Sequence, residues 1–313
     1  MIKIRENCPV CRSSEISDIR SRYDFTLSFC KKCDFMFVKE IFNYDDFYNS
    51  KYFRNYANSE ALFDKNKDSI EGECSYEKNK DTHKISYEGG FRALKKSIDP
   101  RGATYLDIGC AEGYGVELAK NFGAIPYGLD VSKDAVEKCR ESGLGDMFVG
   151  ELSSCRFSNI KMATMIDVLE HMQDPVSNLR ALNRIMETGG FVFVKNNLFS
   201  LDLFMNDNDY FLRNFEPPYH CSYFSESKMV EIFNDNGFKL VYRRPNFVLH
   251  VFQIYGYLKG LFNRKHRDLY MENKKKRLPG LMAKKISKGG FWGRKMEEFF
   301  PSGFVFKKIK NIS

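Results

Sequence analysis

The chain has 313 residues, 43% of them hydrophobic and 29% charged, with a formal net charge of +8. That is enough apolar material to bury a core without disulfide help, which excludes extensive disorder, and the length leaves room for two domains or one large one with appendages. The charge is uneven: residues 243–313 hold 18 basic and 4 acidic side chains, a net +14, which leaves residues 1–242 at −6. A slightly acidic body argues against a protein built throughout to hold nucleic acid. No run of 18 uncharged apolar residues occurs, and Met1 to Cys8 shows no signal-peptide pattern, so neither export nor a membrane span is expected. Four of the nine cysteines form two Cys-x-x-Cys pairs and the other five are scattered singly, as in reduced, cytoplasmic chains.

Residues 1–40 form the first expected unit. Cys8-Pro9-Val10-Cys11 and Cys30-Lys31-Lys32-Cys33 flank strand-like residues 23–29, the pattern of a zinc ribbon. Four thiolates close a tetrahedral shell around a structural Zn²⁺, and so small a piece has no core of its own without such a staple. The competing readings are two unrelated pairs or a redox pair, but a redox motif needs one pair on a βαβ frame. Residues 41–100 form an aromatic connector, with Phe47, Tyr48, Tyr52, Phe53 and Tyr56, a charged stretch over 64–80 and a helix over 85–98. The tyrosines suit either packing between domains or a lid over a ligand.

From Ala103 apolar strands alternate with amphipathic helices, predicting an α/β fold with a doubly wound, mostly parallel sheet of seven strands. Strands are expected at 104–108, 125–129, 146–149, 162–166, 191–195 and 238–243, with a last one at 304–309. Helices are expected at 114–122, at 132–142 with Ser132 as cap, at 175–186 stopped by Gly189-Gly190, and at 225–236 with Ser225 as cap. This core spans 101–246; a basic, partly apolar insertion follows over 247–300, and the last strand and tail occupy 301–313.

The informative stretch is Asp107-Ile108-Gly109-Cys110-Ala111-Glu112-Gly113, a strand running into a glycine turn and a helix. Glycines there let the backbone approach a ligand, and the helix N-terminus favours anionic groups. Asp130, ending the next strand, can accept both hydroxyls of a ribose. Asp107-x-Gly109-x-Ala111-x-Gly113, Asp130 and the strand-four motif Ile166-Asp167-Val168-Leu169-Glu170-His171 together resemble the class I S-adenosylmethionine-dependent methyltransferases, with a Rossmann-like fold. With the zinc ribbon in front, the whole chain resembles bacterial members that methylate sugars or glycan precursors. The resemblance implies that the backbone of Gly109, Cys110, Ala111 and Gly113 lies along the methionine part of the cofactor, with Asp107 near its ammonium. It further implies that Asp130 and Val131 hold the ribose, that Glu151 and Leu152 flank the adenine, and that Asp167 and Val168 lie beside the carbon–sulfur centre.

Methyl transfer is an in-line displacement in which a hydroxyl acceptor must lose a proton, and histidine is the natural base near neutral pH. His220, in a polar and aromatic loop after strand five, is the first candidate and His171 the second; a structural hydrogen bond is the alternative for each. The expected acceptor is a sugar, nucleotide-sugar or lipid-linked glycan, methylated on oxygen. Carbon methylation of a keto-sugar and methylation of ribosomal or transfer RNA are the alternatives. Residues 247–300 carry three readings: plain structure, peripheral contact with an anionic membrane at its inner face, or a nucleic-acid patch, which stands last.

Overall fold

The computed structural model describes residues 3–22, 25–41, 80–217, 219–245 and 301–312. The expectations for the tyrosine-rich connector over 42–79 and for the basic segment over 247–300 lie outside the described residues. Among the described residues, no helix is long and apolar enough to cross a membrane.

In the N-terminal part, β1 (Lys3–Ile4) pairs antiparallel with β5 (Glu40–Ile41), and β2 (Ile16–Arg22), β3 (Phe25–Cys30) and β4 (Met36–Val38) form an antiparallel meander. Helix α1 (Lys80–Leu94) then leads into β6 (Thr104–Ile108), α2 (Tyr114–Asn121), β7 (Ile125–Asp130), α3 (Lys133–Glu141), β8 (Asp146–Val149), β9 (Ile160–Ile166), α4 (Pro175–Ile185) and β10 (Met186–Lys195). Two short helices, α5 (Leu201–Asn206) and α6 (Asn208–Asn214), precede β11 (Ser222–Tyr223), α7 (Glu226–Asp235), β12 (Phe238–Pro245) and β13 (Pro301–Lys308).

Helix starts follow local chemistry. The side chains of Ser132, Asp174, Ser200, Asp207 and Ser225 each accept a backbone N–H three residues on, satisfying donors that have no intrahelical partner. Pro175 opens α4, where its missing N–H costs nothing.

The large sheet has seven strands in the order β12-β13-β10-β9-β6-β7-β8. The pairs β10-β9, β9-β6, β6-β7 and β7-β8 are parallel, whereas β13 runs antiparallel to both β10 and β12. This is the doubly wound, mostly parallel arrangement expected. The strands between helices are almost continuously apolar, as burial on both faces requires: Ile160, Met162, Ala163 and Met165 of β9 are fully buried.

Two local expectations are corrected. Gly189-Gly190 do not stop α4, which ends at Ile185, and the chain enters the sheet at once at Met186. The glycines lie inside β10, where the register with β9 shifts between Met186 and Phe191. Gly189 has φ +95, and a Cβ on Gly190 would stand 3.0 Å from the carbonyl oxygens of Glu187 and Lys161, so the pair permits a bulge. The helix expected over 85–98 instead spans Lys80–Leu94.

The second sheet, ordered β11-β4-β3-β2, takes its edge strand from residues 222–223, far along the chain from the other three. Its apolar face (Leu27, Met36, Val38, Tyr223) packs on Phe199, Phe204, Phe211 and Phe215 from the segment after β10. The N-terminal residues and residues 199–223 therefore share one small core.

At the other edge, Phe306 of β13 is fully buried and stacks on Phe233 of α7, with ring centroids 4.0 Å apart. Phe306→Ala is expected to cost about 3–5 kcal/mol of unfolding free energy through the cavity it leaves, measured by urea titration against the native chain.

Candidate functional site

The parallel strands deliver their C-terminal ends to one edge, the general place for ligands in such sheets. There β6 runs into a loop whose backbone takes positive φ at Gly109 (+72), Ala111 (+43) and Gly113 (+82) before α2 begins. A Cβ on Gly109 would stand 2.4 Å from Val168 Cγ2, so the loop and the end of β9 touch closely. The loop is fastened to β7: Gly109 and Cys110 donate their N–H groups to Leu129 O at 2.8 and 3.0 Å, and Ala111 N–H donates to Asp130 Oδ2 at 2.8 Å.

Asp130 also accepts Ser132 N–H on Oδ1 at 2.8 Å. Each carboxylate oxygen thus carries one backbone hydrogen bond and keeps further acceptor capacity. Burial pushes its carboxyl upward, and the bonds from Ser132 and Ala111 oppose that. Val131 is half-buried beside it; Glu151, after β8, is exposed at the same edge and Leu152 is buried.

Beneath the loop lies Asp107, fully buried. Its Oδ1 accepts from Thr164 Oγ1 at 2.7 Å, and Thr164 in turn accepts from the Tyr105 hydroxyl. Oδ2 lies against Gly115 and the Tyr87 ring and lacks a well-formed hydrogen bond. Burial pushes its carboxyl up to about 7, against the pull of Thr164.

At the end of β9, Asp167 has φ +53 and pairs with Lys195 of β10, Oδ2 to Nζ at 2.5 Å, both partly exposed. Val168 starts a short 3₁₀ turn, Leu169–His171. Glu170 is fully buried; among the described residues its Oε1 receives a long contact, 3.4 Å, from Asn197 N–H, and Oε2 has no partner. Burial, then the Asp167 charge, pushes the Glu170 carboxyl up to about 8.

His171 Nδ1 lies 2.9 Å from Tyr219 O; a carbonyl only accepts, so Nδ1 carries the proton in that contact. The His220 ring is 5.1 Å from that of His171, and its Nδ1 is 3.6 Å from Glu216 Oε2. Burial pulls His171 down and pulls His220 to about 3, with His171 adding to the latter. One donor atom each from Glu170, His171 and His220 fall within 4.8 Å of one another.

The fold therefore brings together Asp107, Gly109, Cys110, Ala111, Gly113, Asp130 and Val168 in one patch, with Asp167, His171 and His220 at its flank. Lys195, Thr164 and Tyr105 join the site through the fold and carry no motif of their own, and Glu170, within the strand-four motif, adds its buried carboxyl. A threonine amid Met162-Ala163 and Met165-Ile166, and a lysine ending an apolar strand, were the available signals.

The cysteines form a second cluster. Sγ of Cys8 lies 3.6 Å from that of Cys33, and Cys11 Sγ lies 3.5 Å from Cys30 Sγ, with all four within 4.8 Å of one another. The two knuckles repeat one geometry: Arg12 N–H returns to Cys8 O and Asp34 N–H to Cys30 O, with φ +61 and +58 at those residues. A tetrahedral zinc–thiolate shell has a sulfur–sulfur edge of about 3.8 Å, and this donor set fits it.

Residues 83–243 match the model of a family described as a methyltransferase domain. The ubiquinone biosynthesis O-methyltransferase of Methylococcus capsulatus is 34% identical over 100 residues, which cover 29% of this chain and 42% of that protein. Its counterpart from Shewanella sp. is 31% identical over 100 residues, with the same shares. The matched region thus spans less than half the length of these relatives. Among solved structures, magnesium protoporphyrin IX methyltransferase from Synechocystis PCC 6803 with bound SAH aligns over 64% of this chain and 91% of that one, at 16% identity and a TM-score of 0.49.

The buried Glu170 makes a stability prediction. Its folded pKa, about 8, lies above the ordinary 4.5, so the native state binds the extra proton and stability falls as pH rises from about 4.5 to 8. Glu170→Gln removes that loss. In urea titrations its stability relative to the native chain is expected to be flat below pH 4.5. Above that it rises, by at most about 1.4 kcal/mol per pH unit, until about pH 8.

Proposed function

The chain belongs to the methyltransferase-domain family, and on that premise we propose that it transfers a methyl group from S-adenosylmethionine to a hydroxyl oxygen. The observation that carries the reading is the Gly109–Gly113 loop fastened to Asp130 above a buried Asp107, one oxygen of which has no well-formed hydrogen bond among the described residues. An unsatisfied buried carboxylate oxygen fits an ammonium group. A loop of exposed glycine backbone fits a close ligand, and a carboxylate with spare lone pairs fits a ribose diol. In this reading Asp107 takes the ammonium, Gly109, Cys110, Ala111 and Gly113 line the methionine part, Asp130 and Val131 hold the ribose, and Glu151 and Leu152 flank the adenine. Asp167 and Val168 border the reacting centre.

When bound, the cofactor supplies an electrophilic methyl on a positive sulfonium. The chain must orient the acceptor and take its proton. His220 is the assigned base, with His171 the second candidate: both imidazoles are neutral and free to take a proton, and because burial by itself weakens them as bases, His220 relies on the neighbouring Glu216 to recover basicity. Glu216, 3.6 Å from His220 Nδ1, stabilises the imidazolium as it forms. The Tyr219 carbonyl fixes the orientation of His171. The four cysteines hold a structural zinc, with no open position for chemistry.

The oxygen acceptor draws support from relatives named as O-methyltransferases. Those relatives are named for ubiquinone biosynthesis, whereas the resemblance to bacterial members with an N-terminal zinc ribbon implies a sugar or glycan hydroxyl. Tritiated S-adenosylmethionine with nucleotide-sugar and with phenolic acceptors separates the two. With the productive acceptor, His220→Gln is expected to lower turnover about 100-fold or more while cofactor affinity stays within about threefold; a normal rate removes His220 as base. A second test uses protons. A bound ammonium draws the Asp107 carboxyl below its free value of about 7, so cofactor binding at pH 6.5 should release a proton. Calorimetry in buffers of different ionisation enthalpy reads that release, and Asp107→Asn should abolish it.

A further inference from the structure

Residues 221–223 are held from two sides. On one side, Val38 N–H donates to Cys221 O at 2.9 Å, and Ser222 and Tyr223 pair with Phe37 and Met36 of β4. On the other, Cys221 N–H donates to Glu170 O at 2.8 Å and Ser222 Oγ to Met172 O at 2.6 Å. The segment is thus a bridge from the four-cysteine module to the turn that follows β9, and His220 is the residue immediately before it.

The module side of this bridge starts only three residues after Cys33. Cys30 N–H donates to Phe35 O at 2.9 Å, closing the second knuckle directly onto β4. Phe35, fully buried, meets Phe224 with ring centroids 5.1 Å apart. Arg12 of the first knuckle pairs with Asp174 at 2.6 Å, and Arg5 donates to Gln173 O at 2.8 Å, seating the module on the N-terminus of α4. By contrast, the hydrogen bonds of the Gly109–Ala111 loop run to β7 within the large sheet.

We propose that the four-cysteine module is a positioning element for His220. Metal at Cys8, Cys11, Cys30 and Cys33 sets the place of β4, β4 sets residues 221–223, and these set the imidazole, while the cofactor loop is held independently. The inference rests on the zinc reading and on the reading of His220 as base. Its physical basis is that β4 has three residues and β11 two. Ladders this short do not persist unless their ends are held elsewhere; on the module side β4 is held by β3 and the small aromatic core, and the knuckle fixes its N-terminal end through the Cys30–Phe35 bond. A small metal module gains its folding free energy from the ion.

The test uses the full chain as purified, with zinc measured by elemental analysis, before and after chelation. Three quantities are read: modification of His220 by diethyl pyrocarbonate followed by peptide mass, hydrogen exchange of the 221–223 amides, and affinity for S-adenosylmethionine. Chelation is expected to speed His220 modification at least fivefold and exchange at 221–223 at least tenfold, with cofactor affinity within twofold. Ser222→Ala, which leaves all four thiolates in place, should speed His220 modification with zinc content unchanged. An unchanged His220 rate in a chain that binds and then loses zinc overturns this inference and leaves the zinc reading standing. A parallel collapse of cofactor affinity overturns it too, because the module would then support the whole fold. A chain that holds no zinc overturns both, and the role of His220 as base is judged separately by the turnover of His220→Gln.

Discussion

The glycine loop is fastened to β7 by the Leu129 carbonyl and by one carboxylate. Asp130 stands at the end of β7 and takes the N–H of Ala111 on one oxygen and that of Ser132 on the other. The first bond pins the loop after β6, and the second shapes the entry to α3, whose cap is Ser132 itself. Both are possible because β6 and β7 are parallel neighbours, so their C-terminal ends reach the same edge. With the loop pinned, positive φ at Gly109 and Gly113 follows, and Gly109 must lack a Cβ because Val168 occupies that space.

Burial then sets the electrostatic character of the site. Asp107 and Glu170 are pushed toward their neutral acids and His171 and His220 toward their neutral bases, in each case first by desolvation. Asp167 and Lys195, at the ends of adjacent strands and partly exposed, keep an ion pair instead. Of these groups Asp107 and Glu170 are brought near neutral pH, so that charge introduced by a ligand is met by carboxyls that can change state.

The second sheet supplies what the large sheet lacks on the acceptor side. Strand β11 extends the N-terminal meander, and the aromatic residues of 199–223 fill the space between them. The buried Ser222 hydroxyl bonds to Met172 O and so joins the small core to the turn after β9. Residues from the first 40 positions and from 199–223 therefore share one small core.

Much of this was legible locally. The seven strands, the caps at Ser132 and Ser225, and the Asp107 to Gly113 loop follow from apolar periodicity, side chains that satisfy helix N-termini, and glycine's access to positive φ. These depend on near neighbours, so the sequence by itself determined them, together with a donor set suited to zinc. Gly189-Gly190 misled because two glycines end a helix or permit a bulge equally well, and only the register of β10 against β9 decides. The two-residue β11, the Tyr105–Thr164–Asp107 chain and the meeting of Glu170, His171 and His220 depended on tertiary structure. Each joins residues about fifty or more apart through burial and hydrogen bonds, and no local spacing encodes which buried polar group will find which partner.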